Sequence, residues 1–149
     1  MRAVVQRVRA ARVAVADEVV GEIGRGALVL LGVARDDDAA RARALAGRIA
    51  ALRVFDDDDG RMNRSLLDVA GEMLVVSQFT LWGDCRGGRR PSWSRAAPGD
   101  VAEPLYGEFI AAVAALGVRV AHGRFGAAMQ VALTNDGPVT LLVDTEGAF

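Results

Sequence analysis

The sequence has few of the side chains that bind metals or cross-link chains: one cysteine, Cys85, and one histidine, His122, in 149 residues. A single cysteine cannot form an intrachain disulfide, and a zinc site needs more soft ligands than these two. We therefore expect no metal and no cofactor. Long apolar runs are missing too, because no stretch approaches the ~18 residues of a membrane-spanning helix, and the first residues lack the pattern of a secretory signal. This indicates a cytoplasmic protein.

Lysine is absent altogether, so all 18 basic residues are arginines. Since the chain is also rich in alanine, valine and glycine, a mutational bias of the source genome explains the arginines as well as phosphate recognition does. The formal net charge of −1 gives no overall field that attracts nucleic acid, although a local patch can still bind it. The hydrophobic (52%) and charged (25%) fractions are those of a globular protein, and the length predicts one domain, residues 1–149.

Hydrophobic patterns predict more strands than helices. Residues 2–15 alternate with the period of a half-buried strand, and residues 27–33 form a continuous apolar run, typical of a strand covered on both faces. Four further strands are expected: Met73 to Leu81, Val118 to Ala121, Met129 to Thr134 and Val139 to Asp144. Between the last two, Asn135-Asp136-Gly137-Pro138 indicates a turn, of type II or type VI.

Two helices are expected among these strands. The first follows three aspartates at 36–38 and has an apolar stripe at helical spacing: Ala42, Leu45, Ile49 and Leu52. Pro98 precedes the second, in which Asp100 and Glu103 form a capping-box pattern and Gly117 is the expected end. The mixed order of strands and helices predicts a single domain of α+β or mixed-sheet type.

The acidic run Asp56 to Asp59, followed by Gly60, suggests a calcium loop at first sight. If Gly60 occupied the sixth loop position, Phe55 and Leu66 would stand at the first and twelfth, where carboxylates are required. A solvated acidic turn is the better interpretation.

Residues 86–93 (RGGRRPSW) combine clustered guanidinium groups with an indole. Such a loop can hold phosphates and stack on bases. The alternative is a flexible surface loop whose arginines reflect only the mutational bias of the source genome. Cys85 gains a basic neighbour in Arg86, which alone is weak support for a nucleophilic thiol. Within residues 77–81 (SQFTL), the Thr80 hydroxyl would need an activating base to act as a nucleophile, and a strand-end hydrogen bond explains it equally well.

Three segments occur together with the opening MRAVVQRV: residues 77–81 (SQFTL), 86–92 (RGGRRPS) and 134–140 (TNDGPVT). In this order and at these intervals they resemble the D-aminoacyl-tRNA deacylases. The resemblance runs from Met1 to about Asp144 and leaves residues 145–149 as a C-terminal tail. It departs from the family at Trp82 and Trp93, where other aromatic residues, tyrosine and phenylalanine, are usual.

The resemblance implies a hydrolase that cleaves the ester between a D-amino acid and the terminal ribose of tRNA, accepts glycyl-tRNA and rejects L-aminoacyl-tRNA. It implies a barrel-like mixed sheet with two main helices, in a homodimer. In this family the bond matching Gly137–Pro138 is cis. Its two carbonyls project into the active site of the partner subunit, where they bind the substrate α-ammonium and leave no space for an L side chain.

The resemblance also assigns the catalytic residues, Gln78, Phe79 and Thr80. Main-chain N–H groups around Phe79 and Thr80, with the Gln78 side chain nearby, are expected to stabilise the tetrahedral oxyanion while water, aided by a ribose hydroxyl, attacks. A covalent role for Thr80 is the alternative. Ser77 and Met129 are expected in the substrate pocket, with Phe79 and Met129 as its walls.

The expected tRNA contacts are in the arginine loop: Arg86, Arg89, Arg90 and Trp93. Two other functions stay open. One is a non-catalytic dimeric RNA-binding module that uses the same loop, and the other is a small-molecule hydrolase that acts on D-amino acid esters or peptides without tRNA.

Overall fold

The computed structural model describes residues 1–148. These residues form eight strands, two α-helices and one 3₁₀ turn, in the order β1 (Arg2–Val15), β2 (Glu18–Ile23), β3 (Gly26–Gly32), α1 (Ala39–Ala50), β4 (Phe55–Asp56), β5 (Met62–Arg64), β6 (Glu72–Ser77), the 3₁₀ turn (Phe79–Trp82), α2 (Gly99–Ala115), β7 (Val120–His122) and β8 (Gln130–Asp144). Phe149, the last residue of the expected tail, lies outside the described residues. Among the helices of residues 1–148, none is both long and apolar enough to cross a membrane.

Strand β1 organises the sheet because it pairs with three other strands. Its first half lies between β3 and β8, and its second half lies between β2 and β8, all in antiparallel pairing. β3 pairs with β6 and β6 with β7 in parallel, so the sheet is mixed. It is nearly closed into a barrel, which confirms the expected barrel-like α+β fold with two helices.

Two apolar clusters cover the two faces of the sheet. The larger cluster lies between the sheet and the helices, and its members include Val5, Val29, Leu45, Val75 and Phe109. The smaller cluster includes Val8, Val13, Leu28, Leu74 and Val76. Since successive side chains of a strand point to opposite faces, β3 and β6 contribute alternately to both clusters. This explains why residues 27–33 read as one continuous apolar run.

The strand expected over Met73 to Leu81 is wrong at its end, because β6 stops at Ser77. The next residues form the 3₁₀ turn instead of continuing the sheet. Trp82 ends this turn and is buried against Ala34 and Ala96. A long-range packing contact therefore takes the chain out of the sheet where the local residues favour a strand.

The turn expected between two strands at residues 130–143 is also wrong, because β8 is one continuous strand. Both of its halves pair with β1: Thr140 lies opposite Gln6, and Asn135 lies opposite Val8. Gln6 and Val8 are two residues apart on β1, whereas their partners on β8, Thr140 and Asn135, are five residues apart. Residues 136–139 therefore bulge out of the ladder. We call residues 135–140 the bulge loop.

The helix boundaries need one correction. Asp38 caps α1 by accepting a hydrogen bond from Arg41 N (2.8 Å), as expected for an aspartate before a helix. The capping box of Asp100 and Glu103 is wrong, because α2 begins at Gly99 with Pro98 as its N-cap residue. Asp100 is already inside the first turn, where its charge still suits the helix dipole.

Candidate active site

A cavity of about 430 Å³ opens between the end of β6, helix α2 and the segment before β8. Its lining is mostly apolar and includes Leu31, Val76, Ser77, Gln78, Phe79, Ala102, Tyr106, Phe125 and Met129. This size lies within the range of small-ligand sites, which are typically 300–1,000 Å³. The expected substrate-pocket residues Ser77 and Met129, and the expected walls Phe79 and Met129, are thus brought together.

Backbone donors without an acceptor occur in the 3₁₀ turn whose first residue, Phe79, lines the cavity. β6 delivers Ser77 to the rim, and the 3₁₀ turn that follows places Phe79 and Thr80 at its first two positions. Within residues 1–148, neither the N–H of Phe79 nor that of Thr80 donates to a protein acceptor. The first N–H groups of a helical turn have no acceptor inside the turn, which explains why these two N–H groups are not hydrogen-bonded within the chain.

The Thr80 side chain forms a hydrogen bond with a neighbouring side chain. Its hydroxyl accepts a hydrogen bond from Nε2 of Gln78, and Thr80 does not line the cavity. The single histidine, His122, also lies outside the cavity lining, and its Nδ1 contacts the Gly123 carbonyl at 2.8 Å. Neither of these contacts supplies the Thr80 hydroxyl with a base.

The inner wall of the cavity is apolar although it contains a phenol. The Tyr106 hydroxyl donates to the carbonyl of Val75 (2.8 Å), and burial raises the pKa of Tyr106 to about 12. This side chain therefore stays neutral and has its donor occupied. Gly123 makes room for Met129, which also lines the cavity, because a Cβ at residue 123 would lie 2.5 Å from the Met129 sulfur.

The bulge loop is exposed and stands apart from the cavity of its own chain. The Gly137–Pro138 peptide is cis, as the resemblance implied. Both residues are solvent-exposed, and neither lines the cavity. The bulge leaves residues 136–139 without ladder partners on β1.

Side-chain contacts that the sequence analysis missed fix the bulge loop. Asn135 bridges the bulge: its Oδ1 accepts from Val139 N and its Nδ2 donates to Thr140 Oγ1, both at 2.9 Å. Arg7 Nε donates to the carbonyl of Asp136 at 2.8 Å. Arg7 is buried on the same face of β1 as Ala3 and Val5, so an arginine on the apolar side of an alternating strand was the available signal.

Arg7 is also tied to a second part of the chain. Its Nη1 donates to the carbonyl of Val54 (2.7 Å) and contacts Asp56 Oδ1 (3.2 Å). The guanidinium thus joins the bulge loop to the segment that enters β4, and its planar set of donors suits such divergent acceptors.

The arginine loop is closed at its base and open at its tip. Asp84 and Ser92 exchange two backbone hydrogen bonds of 2.9 Å. Arg86 forms a bidentate pair with Asp84, and hydrogen bonds from the Arg86 side chain, followed by its N–H, hold the pKa of Asp84 far below its ordinary value. In the part of the chain that the structure describes, Arg89 and Arg90 have no acidic partner, and both are exposed.

The base of this loop contacts the cavity rim through two aromatic rings. Phe79 and Trp93 pack edge to face, with ring centroids 5.2 Å apart and an interplanar angle of 69°. Gly83 permits this approach, because a Cβ there would lie 2.6 Å from the Trp93 ring. Trp93 is therefore adjacent to the candidate catalytic turn, while the guanidinium groups of Arg86, Arg89 and Arg90 lie on the exposed loop beyond it.

The remaining candidates have simpler surroundings. Asp57 accepts hydrogen bonds from Asp59 N, Arg61 N and Asn63, so the acidic run forms the expected turn. Cys85 is exposed and free. In the described residues, 1–148, no group of histidine, cysteine or acidic side chains is arranged to hold a metal ion.

Comparison with known proteins gives matches over nearly the whole chain. The family model described as D-Tyr-tRNA(Tyr) deacylase matches residues 4–144. The D-aminoacyl-tRNA deacylase of Thermosipho africanus (strain TCF52B) is 56% identical over all of both chains, and that of Roseiflexus sp. (strain RS-1) is 61% identical over 97% of this chain and 94% of its own.

Solved structures agree with the fold. A structure titled "c-Myc DNA Unwinding Element Binding Protein" is 40% identical and superposes with a TM-score of 0.91, covering 97% of this chain and 99% of its own. A structure of "a probable eukaryotic D-amino acid tRNA deacylase" is 22% identical with a TM-score of 0.82, covering 95% and 97%, which is similarity of fold alone.

Proposed function

Because the chain belongs to the D-aminoacyl-tRNA deacylase family, we propose that it hydrolyses the ester bond of D-aminoacyl-tRNA and releases the free D-amino acid and tRNA. The observation that carries this proposal is that the N–H groups of Phe79, which lines a cavity of about 430 Å³, and of the adjacent Thr80 have no acceptor among residues 1–148. An ester carbonyl held there meets donors for the negative charge that develops on its oxygen.

Catalysis is proposed to rest on these backbone donors. Each donor aimed at a developing oxyanion contributes ~2.7–4 kcal/mol to transition-state stabilisation. The Gln78 side chain holds the Thr80 hydroxyl, so the attacking group is water, aided by a ribose hydroxyl of the substrate. Main-chain atoms suit this role because they move less than side chains and are already oriented before the substrate binds.

Handedness is proposed to be read by the partner subunit. In one chain Gly137 and Pro138 are exposed and away from the cavity, an arrangement that suits a loop supplied to a second copy. Their carbonyls accept hydrogen bonds from the substrate α-ammonium and leave no room for an L side chain. Glycyl-tRNA, which has no side chain to reject, is a substrate in this scheme. A homodimer is then required for activity.

One assay separates this proposal from its two rivals. The protein is incubated with D-Tyr-tRNA, L-Tyr-tRNA and D-Tyr ethyl ester, and the release of tyrosine is followed. We expect release from D-Tyr-tRNA alone. Binding without any release would instead indicate an RNA-binding module, and release from the free ester would indicate a small-molecule hydrolase.

Thr80 offers a test of the attacking group. Replacing Thr80 with alanine is expected to lower kcat/KM for D-Tyr-tRNA by less than about tenfold, since the backbone donor remains. Replacing Thr80 with proline removes that N–H and is expected to lower kcat by about 10²–10³-fold. Single-turnover kinetics of both variants decide the question. An inactive alanine variant that is correctly folded contradicts water attack and restores the covalent route.

The arginine loop is proposed to contact the tRNA backbone. Arg89 and Arg90 are free to meet phosphates, whereas Arg86 is already compensated by Asp84. Trp93 lies at the base of the same loop.

Salt dependence tests this contact. Changing Arg89 or Arg90 to glutamine is expected to reduce the slope of log K against log [salt] for tRNA by about one each. Arg86→Gln should change it less. Arg61→Gln, at another exposed arginine, is the control, and an equal effect there would mean that the loop makes no specific contact.

A further inference from the structure

Aromatic side chains are scarce in this protein, and two of them are placed in solvent beside the cavity. Of the aromatic side chains that the structure describes, those of Phe79 (55% exposed) and Trp93 (40% exposed) are the most exposed to solvent. Among the other described aromatic residues, Phe125 is partly buried, and four are buried: Phe55, Trp82, Tyr106 and Phe109. Exposed aromatic surface loses the benefit of burial, so a pair of rings at one place indicates a surface that is covered by a partner.

The position of the pair restricts what covers it. In the proposed function, the ester on the terminal ribose of the tRNA reaches the N–H groups of Phe79 and Thr80. The nucleotides that precede the terminal one must then leave the cavity across its rim, where the Phe79 and Trp93 rings lie. The guanidinium groups of Arg89 and Arg90, which have no acidic partner among residues 1–148, are on the loop that Trp93 anchors, and they complement a phosphate backbone.

We propose that Phe79 and Trp93 form a stacking platform for the unpaired nucleotides that precede the terminal adenosine of the tRNA, and that this contact, rather than duplex recognition, places the acyl end in the cavity. This inference rests on the proposed function. Rings bind any base through its π face, so the platform serves tRNAs with different acceptor stems equally. Such tolerance suits an enzyme whose specificity lies in the handedness of the amino acid.

The test measures binding to uncharged RNA and needs no hydrolysis. The probes are two RNA hairpins with an unpaired 3′ end; in the second, the bases before the terminal adenosine are replaced by abasic riboses, which keeps every phosphate. Dissociation constants are measured by fluorescence anisotropy for the unaltered protein, Trp93→Ala, Trp93→Phe and a control, Leu116→Ala. Leu116 is similarly exposed (44%) at the end of α2.

Removal of the bases is expected to weaken binding to the unaltered protein by about tenfold or more, because each base stacked on a ring adds to the affinity. In Trp93→Ala this penalty should nearly disappear, whereas Trp93→Phe, which retains a ring against Phe79, and Leu116→Ala should keep most of it. The same penalty in Trp93→Ala as in the unaltered protein overturns the platform. Circular dichroism confirms that each variant is folded, and if Trp93→Ala is not, a penalty that differs between Trp93→Phe and Trp93→Leu gives the same decision.

The two proposals fail separately. If the unaltered protein deacylates D-Tyr-tRNA but binds the abasic hairpin as tightly as the unmodified one, the stacking platform is wrong and the proposed deacylase activity is upheld. If the penalty is present and depends on Trp93 while no tyrosine is released, the platform stands and the proposed hydrolysis fails.

Discussion

Replacing Gly137 with alanine is expected to lower kcat/KM for D-Tyr-tRNA by about 100-fold or more, because a displacement of this loop by about 1 Å is enough to cost that much. Gly137 has φ = +140°, a conformation that L side chains rarely adopt. An added Cβ would lie 2.8 Å from Val139 Cγ2 and 2.9 Å from Val139 N. The N–H of Val139 is bonded to Asn135, so relieving this clash breaks the bridge that fixes the bulge loop.

A matched control separates loop geometry from backbone strain. Gly117 also has positive φ (+86°), but a Cβ there would meet no atom within 4 Å. Gly117→Ala is therefore expected to reduce the free energy of unfolding by about 1 kcal/mol and to leave hydrolysis unchanged. Steady-state kinetics and urea unfolding of both variants make the comparison, and equal kinetic losses would place the effect in stability rather than in the loop.

Gly137→Ala also tests the cross-subunit arrangement. Phe79→Pro removes the N–H of Phe79 at the first position of the 3₁₀ turn, where proline is tolerated best. Each variant alone should be inactive. The two variants are mixed in equal amounts and their subunits are allowed to exchange, so that half of the dimers contain one chain of each variant. If the loop of one chain serves the cavity of the other, each mixed dimer has one intact site, and the mixture should regain roughly a quarter of wild-type activity. Mixed dimers without activity would show that each chain uses its own loop.

The parts of the fold that follow from local periodicity were predictable. β1 and α1 were recognised because one apolar face repeats every two residues or every three to four. β3 was recognised because a strand covered on both faces is apolar throughout. These patterns depend on neighbours in sequence and so need no knowledge of the rest of the chain.

The errors arose where distant contacts decide the local structure. The 3₁₀ turn replaces the end of a strand because Trp82 packs against residues 34 and 96, which are remote in sequence. The bulge of β8 was interpreted as a turn because asparagine, aspartate, glycine and proline are typical of both, and only pairing of both halves with β1 distinguishes them.

The site was predictable only in part, because contacts between residues distant in sequence also form the cavity. The segment 77–81 was identified from its motif, and Ser77, Gln78 and Phe79 do line the cavity. Tyr106 and Phe125 were not identified, since a helical tyrosine and a loop phenylalanine look like ordinary packing residues until the fold places them beside β6. The exposed bulge loop, which was identified from its motif, lies outside this cavity.

Replacing Arg7 with methionine is expected to lower stability and activity together, because the buried guanidinium supports the bulge loop. The change removes the hydrogen bonds to the carbonyls of Asp136 and Val54 and leaves both acceptors without their donor. Hydrogen bonds from a charged group contribute about 1.5–3 kcal/mol each, so we expect a loss of about 3 kcal/mol in the free energy of unfolding, measured by urea titration. Arg7→Lys should recover little of this free energy, since the lysine ammonium cannot donate in the divergent directions of the planar guanidinium.

The neighbouring Arg9 supplies the comparison that assigns this effect. Arg9 contacts the same residue, Asp136, at 3.2 Å, but its side chain is 75% exposed, whereas that of Arg7 is 9% exposed. An exposed ion pair contributes about 0–1 kcal/mol, so Arg9→Met should change stability little and leave the preference for D-Tyr-tRNA over L-Tyr-tRNA intact. In Arg7→Met that preference should fall, because the carbonyls that exclude the L side chain are no longer held. If both variants lose stability but keep the preference, the bulge loop is fixed by Asn135 alone, and the support by Arg7 that we infer from the buried contacts is wrong.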